Sequence, residues 1–346
     1  MKIVYAALMH DYMVPERGYS FEHQTFYDAL RAMPGVHLVY VPYDRMLEVG
    51  RDRMNDEMVA LAAREKPDLF WAVMFTDELR PDALRAVGAL TTTLAWMCDD
   101  HWRFDSYSRR CAPHFHWIAT TYSRAVARYH ALGCRNVIHT QWAANTRLFR
   151  PLPVARDIDA SFVGSYSKPR ARLIEALRRA GVKVVVRGTG WPEGRVSGEE
   201  LVRIFSASKV GLALNPPSSY LGVRSLGRLF LRRSGTRLVA DVHHLPGNVR
   251  ELLQRRIPQI KARVFELAAC GALAVTADAD NLGDYYDVGR EVVVYRNADD
   301  LVDRVRHLLA HDGDREAIAR AGYERTVRDH TYERRFGEIL RRVTAA

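Results

Sequence analysis

Short unbroken apolar runs and stretches with helical apolar spacing take turns along the first 150 residues. KIVYAAL (Lys2–Leu8) is continuously apolar, as expected of a strand covered on both faces. SFEHQTFYDALRAM (Ser20–Met33) has helical spacing, with Ser20 placed to cap it. VHLVYVPY reads as a strand, MNDEMVALAAREK as a helix ended by Pro67, PDLFWAVMF as a strand and RPDALRAVGAL as a helix. TTLAWMCDD is a further strand running into a polar loop, and HWIATTY and NVIHTQWA are two more around the helix SRAVARYHALG. Repeated β-α-β units of this kind predict a parallel, doubly wound sheet.

NTRLFRPLPVARDIDA (Asn145–Ala160) carries two prolines and no periodicity, which marks a linker. A second β-α series follows: ASFVGS, the helix PRARLIEALRRAG stopped by Gly181, VKVVVRG, and the helix SGEELVRIFSASK. Ser197 with Glu200 three residues on forms a capping-box pattern there. VGLALN, ALAVT and EVVVY are strands, and DDLVDRVRHLLAHD, DREAIARAGYERTVRD and TYERRFGEILRRV are helices. The expected architecture is α/β, with two tandem Rossmann-like domains at residues 1–150 and 151–325 and a closing helical segment at 326–346. Ligands of such sheets bind beyond the carboxyl ends of the strands, so two domains facing one another would enclose a cleft. Residues Pro216 to Pro258 break the alternation and read as an insertion flanking that cleft, with RSLGRLFLRRSGTR (Arg224–Arg237) as a basic helical piece. His243 and His244 in DVHHLPGN have no Cys or carboxylate at a recognisable ligand spacing, so a loop role is expected and no metal.

Composition narrows this picture. The chain has 346 residues, of which 48% are apolar and 27% charged, as in soluble globular proteins, and two domains are the default count. No apolar run reaches the length of a membrane span, and the first residues read as a strand rather than a signal peptide. Four scattered cysteines form no CxxC pair, and a cytoplasmic protein with reduced thiols is expected. The net charge of +10 favours anionic partners, among them a nucleoside diphosphate, nucleic acid or an acidic membrane face. No nucleic-acid-binding signature accompanies it, so nucleic acid is not expected, while peripheral contact with an anionic membrane stays open.

Several strand ends carry candidate chemistry. In VGSYSKPR, Gly164 and Ser165 fall where strand turns into helix, and Lys168 and Arg170 add positive charge for an anion; a tight turn with two solvated bases is the plain alternative. In RGTGWP, Gly188, Thr189, Gly190 and Trp191 would form a slot for a planar base, or a loop whose tryptophan covers the domain edge. In QIKARVFELAACGALAVT, Ile260, Val264, Leu267 and Ala268 form one apolar stripe, and Glu266 lies nearly opposite it with Arg263 alongside. Glu266 is thus expected to face water or a cleft. In the cleft it would accept hydrogen bonds from ribose hydroxyls while Lys261, Arg263 and the first-turn N–H groups meet phosphate.

The stretch from RVFELAACG to the closing YERRF resembles the C-terminal half of GT-B glycosyltransferases, and the CgeB-like (spore-maturation) group in particular. CDDHWRFDSYS and ATTYSRAVARYHALG resemble that group's N-terminal half. The resemblance implies that Glu266 holds the donor ribose and that the final helix crosses back to the first domain. It aligns Gly18, Tyr19 and Ser20 with a loop over donor phosphates and acceptor, the alternative being a helix entry capped by Ser20. It aligns Asp99, Asp100 and His101 with a catalytic or sugar-contacting loop; either carboxylate would take an acceptor proton, or His101 contact sugar or phosphate. The Glu-x7-Glu pair of retaining members has Pro258 at its first position here. The implied activity is metal-independent transfer of a sugar from a nucleotide-sugar, a substrate rather than a cofactor, to an acceptor hydroxyl. The rivals are a nucleotide-sugar epimerase on the same scaffold and a non-catalytic nucleotide-sugar-binding protein.

Overall fold

The computed structural model describes residues 1–216 and 226–345. It divides into two compact units: Met1–Gln141, Ser219–Arg255 and Arg335–Ala346 form the first, and Trp142–Ser218 and Arg256–Arg334 the second.

The first unit is built on six parallel strands: β1 (Lys2–Ala7), β2 (His37–Pro42), β3 (Leu69–Met74), β4 (Thr92–Met97), β5 (Trp117–Thr120) and β6 (Asn136–His139), in the order β2-β1-β3-β4-β5-β6. Ile3 through Ala7 are fully buried, which explains the unbroken apolar run. Helix α1 (Arg51–Glu65) buries Met54, Met58 and Ala62 and stops at left-handed Lys66, just before Pro67. Helices α2 (Pro81–Gly88) and α3 (Ala125–Ala131) add further cover. At the other end of the chain, α10 (Tyr332–Thr344) inserts Phe336 among Phe26, Trp71 and Trp96, with ring centroids 5.2, 5.0 and 6.3 Å away.

The second unit holds five parallel strands: β7 (Ile158–Val163), β8 (Val184–Arg187), β9 (Ser208–Ala213), β12 (Leu273–Ala277) and β13 (Val293–Tyr295), in the order β13-β12-β9-β7-β8. Its helices are α4 (Lys168–Arg179), α5 (Gly198–Ala207), α7 (Ala262–Ala269), α8 (Ala298–Ala310) and α9 (Asp312–Asp329). Ser197 caps α5 by accepting from the Glu200 N–H at 3.1 Å, while Glu200 pairs with Arg203 instead of returning to the cap. The two sheets wind alike. In each, the second strand lies on one side of the first and the later strands on the other, so the order reverses between β1 and β3 and again between β7 and β9. Ligands of doubly wound sheets bind above such a reversal.

Residues 226–255 of the insertion belong to the first unit rather than standing apart. Of its residues, 217–225 lie outside the described residues, as does the start of the stretch expected to be a basic helix. The rest of that stretch corrects the expectation: Leu231–Ser234 (β10) and Arg237–Ala240 (β11) form an antiparallel hairpin. The two-residue Gly235–Thr236 turn explains it, because Gly235 takes the positive φ (+52°) that such turns require. Helix α6 (Leu245–Gln254) then seats so tightly that a Cβ on Gly247 would lie 2.9 Å from the Asp105 carbonyl oxygen.

Candidate active site

In the second unit, the tips of β7 and β8 are locked together through glycine. Gly188 sits at φ +132°, and a Cβ there would fall 2.2 Å from the Gly164 carbonyl oxygen, so no other residue fits. The Gly164 N–H donates to Arg187 O at 2.9 Å, and the Tyr166 N–H to Thr189 O at 2.8 Å. Trp191 is half-buried, edge-on to Phe162 and Tyr166, and its indole N–H donates to Gly164 O at 2.9 Å. Its place is therefore the covering one: the indole braces the turn rather than opening a slot. Gly190 is open to solvent with a positive φ of +85° beside Tyr166, and Thr189 is exposed with its hydroxyl 3.3 Å from Arg195.

Arg170 bridges the reversal between β7 and β9. Its Nε donates to Leu214 O at 3.0 Å, beyond the tip of β9, and a terminal nitrogen to Ser165 O at 2.8 Å, beyond the tip of β7. Burial, followed by the nearby Arg263 charge, lowers its pKa. Ser165 and Lys168 are exposed on the same turn, and Ser167, which sequence reasoning passed over, caps α4 by accepting from the Arg170 N–H.

Glu266 is 4% exposed, so of the two expected settings, water or a cleft, bulk water is excluded. Every residue from Val264 to Ala269 is buried, and α7 packs against α9, β9 and β12. Its Oε2 accepts from Arg263 at 2.5 Å. Burial raises the Glu266 pKa and Arg263 pulls it back down. Arg263 also lies over the Phe205 ring at 5.0 Å, so its first task is to hold the carboxylate. Lys261 is the N-cap residue of α7 and is half-buried. The structure thus gathers Gly164, Arg170 and Gly188 at the strand tips, with the charge of Arg263, and through it Glu266, acting on the same rim.

In the first unit, Ser20 is buried and ties the helix entry: its hydroxyl donates to Leu8 O at 2.7 Å and accepts from the His23 N–H at 3.0 Å. Gly18 has a positive φ of +78° and closes a turn onto Asp11, and exposed Tyr19 stacks on His23 at 4.3 Å. Asp99 is in the left-handed region (φ +62°), half-buried beyond the tip of β4. Asp100 is fully buried, accepting from Thr120 at 2.5 Å and Tyr129 at 2.8 Å, with its pKa raised by burial. That carboxylate braces β5 and α3 and is not presented to a ligand. His101 is 4% exposed, its ring 6.2 Å from that of Tyr122. Asp99 lines a cavity of about 580 Å³ lying wholly within this unit, above the β1–β3 reversal. The same cavity is lined by Glu22, which sequence reasoning missed as a chemical group. Burial, with some repulsion from Asp11 and Glu78, pushes the Glu22 carboxyl up to about 7. The visible signal was a carboxylate two residues after the cap, at a strand tip.

Residues 170–341 match the family described as glycosyl transferase-like. This chain carries a glycosyl transferase-like domain. That domain holds Arg170, Gly188, Lys261, Arg263 and Glu266 together. A search of curated protein sequences finds no significant match. Among solved structures, HepE from Anabaena in complex with UDP is similar over 100% of both chains at 11% identity, with a TM-score of 0.62. Sucrose-phosphate synthase from Thermosynechococcus elongatus is similar over 99% of both chains at 12% identity, with a TM-score of 0.60. The lipopolysaccharide outer core galactosyltransferase WaaB, in its apo form, is similar over 100% of this chain and 99% of its own at 11% identity, with a TM-score of 0.57. These similarities establish the fold, which is GT-B, and the glycosyl transferase-like domain supplies most of its second unit. No helix among the described residues is long and apolar enough to cross a membrane, and no cluster of three His, Cys, Asp or Glu residues among them is placed to hold a metal ion.

Proposed function

We propose that this chain is a glycosyltransferase that moves a sugar from a nucleoside diphosphate donor, bound by the second unit, to a hydroxyl of an acceptor bound by the first. The observation that carries this reading is the buried Glu266 carboxylate. It is held by Arg263 in the glycosyl transferase-like domain, alongside strand tips bridged by Arg170. A buried carboxylate is retained where it accepts strong hydrogen bonds, and ribose hydroxyls offer two. The structural neighbour HepE was solved with UDP and with UDP-glucose, which makes uridine donors the first to try.

In the proposed reaction the acceptor oxygen attacks the anomeric carbon while its proton passes to a carboxylate of the first unit. The bond from that carbon to the diphosphate breaks, and the nucleoside diphosphate leaves with the electron pair. Glu22 is suited to take the proton, since its carboxyl titrates near 7, and Asp99 lines the same cavity. Lys261, Lys168 and the first-turn N–H groups of α4 and α7 meet the leaving charge without a metal. The finer placement in the CgeB-like group rests on FELAACG and CDDHWRF. The cytoplasmic placement rests on four free thiols.

The test is calorimetric titration with UDP, GDP, dTDP and ADP, followed by turnover of the matching donor with and without acceptors, in the presence of EDTA. Transfer requires that one nucleotide bind and that its release depend on acceptor. Sugar epimerisation without acceptor would favour the epimerase, and binding without any turnover a non-catalytic protein. Lost turnover in EDTA would overturn the metal-free step.

A further inference from the structure

The cavity of the first unit has an unusual charge inventory. Its roof is the insertion, which is fastened to the body by the Arg232–Asp77 ion pair and two serine contacts. Arg232 reaches Asp77 at 2.8 Å, and Ser234 donates to the same carboxylate at 3.0 Å. Arg255 pairs with Glu251 at 2.6 Å and lies 3.8 Å over the Trp102 ring, while Ser106 donates to Glu251. Asp241, a further lining carboxylate, is taken up by His244 at 2.5 Å and by Asn248. Arg103 donates to Phe75 O at 2.6 Å.

Four more arginines line the same space, and among the described residues none of them has a carboxylate within salt-bridge distance: Arg51, Arg110, Arg228 and Arg233. The Nε of Arg51 is buried without a hydrogen-bond partner. Burial first, then the nearby Arg255 and Arg233 charges, lower the Arg228 pKa, while Glu251 works against them. Arg233 lies 4.9 Å over the ring of Tyr12. Seven arginines line the cavity against five carboxylates, Glu22, Asp77, Asp99, Asp241 and Glu251, so positive charge is in excess there and a bound anion is favoured. Apolar surface stands beside them: Leu238 is 68% exposed, Leu231 42% and Tyr12 41%, all three at the cavity. The volume of about 580 Å³ suits a small molecule rather than a polymer segment.

We propose that this cavity is the acceptor pocket, and that it selects a small acceptor with an anionic head, phosphate or carboxylate, on an apolar body. The assignment as acceptor rests on the transfer reading above. The preference for an anion rests on the arginines alone. Arg228 and Arg233 clasp the head from the roof, Arg51 and Arg110 from the body, and Leu231, Leu238 and Tyr12 cover the apolar part. Asp77 and Glu251 are held by Arg232 and Arg255, and Asp241 hydrogen-bonds His244; Glu22 and Asp99 line the same cavity, and the arginines outnumber all five carboxylates.

The experiment is isothermal titration of the full chain with three probes of one shape: 4-nitrophenyl phosphate, 4-nitrobenzoate and neutral 4-nitrobenzyl alcohol. UDP is titrated in parallel. The expected result is at least tenfold tighter binding of one anionic probe than of the alcohol, weakened by salt. The tighter of the two anions identifies the head group. The double variant Arg228→Ala, Arg233→Ala should lose at least tenfold in affinity for that probe and keep its affinity for UDP. If that variant fails to fold, Arg228→Lys with Arg233→Lys, which keeps the charge, should retain most of the binding, and Arg228→Gln alone should lose several-fold. Equal affinity for the alcohol overturns the proposal, as does undiminished probe binding by a folded double variant, or mutual displacement of probe and UDP. Wild-type protein that binds the probe but no nucleotide overturns the transfer reading and the acceptor role together, and leaves the anion preference intact.

Discussion

The two strand-tip regions share a winding and differ in how they are assembled. In the second unit most of the tip contacts are close in sequence, although Arg170 also reaches Leu214 O, 44 positions on. Gly164, Gly188 and Trp191 fall within 28 residues of chain, Arg170 bonds a carbonyl five residues before it, and Glu266 is held by a partner three residues away. In the first unit the cavity is made at long range. Arg232 meets Asp77 across 155 positions, and Ser106 meets Glu251 across 145. A site built from neighbouring residues is fixed once its element folds, whereas one built from distant segments exists only after the roof has docked. Chemistry common to a fold can be carried locally, and selectivity can be added by an insertion that leaves the sheet unchanged.

Changes that break one region should spare the other. Gly188→Ala should have the largest effect, since the new Cβ meets the Gly164 carbonyl at 2.2 Å with φ at +132°. A loss of ~3 kcal/mol or more is expected in the second unit. Calorimetric unfolding and nucleotide titration should both register it, with 4-nitrophenyl phosphate binding by the first unit retained. Glu266→Ala should come next, weakening nucleotide binding by about 2–3 kcal/mol, as expected for a charged hydrogen-bonding partner, without moving probe affinity. Unchanged nucleotide affinity would remove Glu266 from the donor site.

Glu22→Gln sharpens the other side. The native carboxyl titrates near 7, above the unfolded value near 4.5, so its ionisation destabilises the folded chain progressively as pH rises through that interval. The variant should therefore be more stable than wild type at pH 8, by up to about 3 kcal/mol, and indistinguishable from it at pH 4. If Glu22 is the base, the acidic limb of kcat/KM near pH 7 disappears with most of the activity; an unchanged limb would move the role to Asp99. Asp77→Asn should have the smallest effect, about 1 kcal/mol, by loosening Arg232 and Ser234. Hydrogen exchange should quicken in residues 231–255 while nucleotide affinity stays the same.

This difference in range also explains what could be read from sequence. The strands, the caps at Ser20 and Ser197 and the stop at Gly181 were legible because each depends on its own neighbours. The glycine turns were legible as close approaches, though the partner of Gly188 was not. The burial of Glu266 was hidden, since a helical wheel locates one apolar stripe and cannot show what packs around the rest of the helix. The helical reading of Arg224–Arg237 gave too little weight to a Ser-Gly-Thr turn. Glu22 looked like an ordinary first-turn acid because Asp11 and Glu78, which raise its pKa along with burial, come from other loops. The Arg232–Asp77 pair that fastens the roof had no signal along the chain at all.

Phe336 carries a consequence for biogenesis. Its fully buried ring completes an aromatic cluster with Phe26, Trp71 and Trp96, yet it is made about 240 residues after the last of them. A nascent chain leaving the ribosome therefore exposes two tryptophans and a phenylalanine until synthesis is nearly finished, a sticky interval in which chaperones would be engaged. A premature stop before position 336 would produce aggregated protein, not a shortened enzyme.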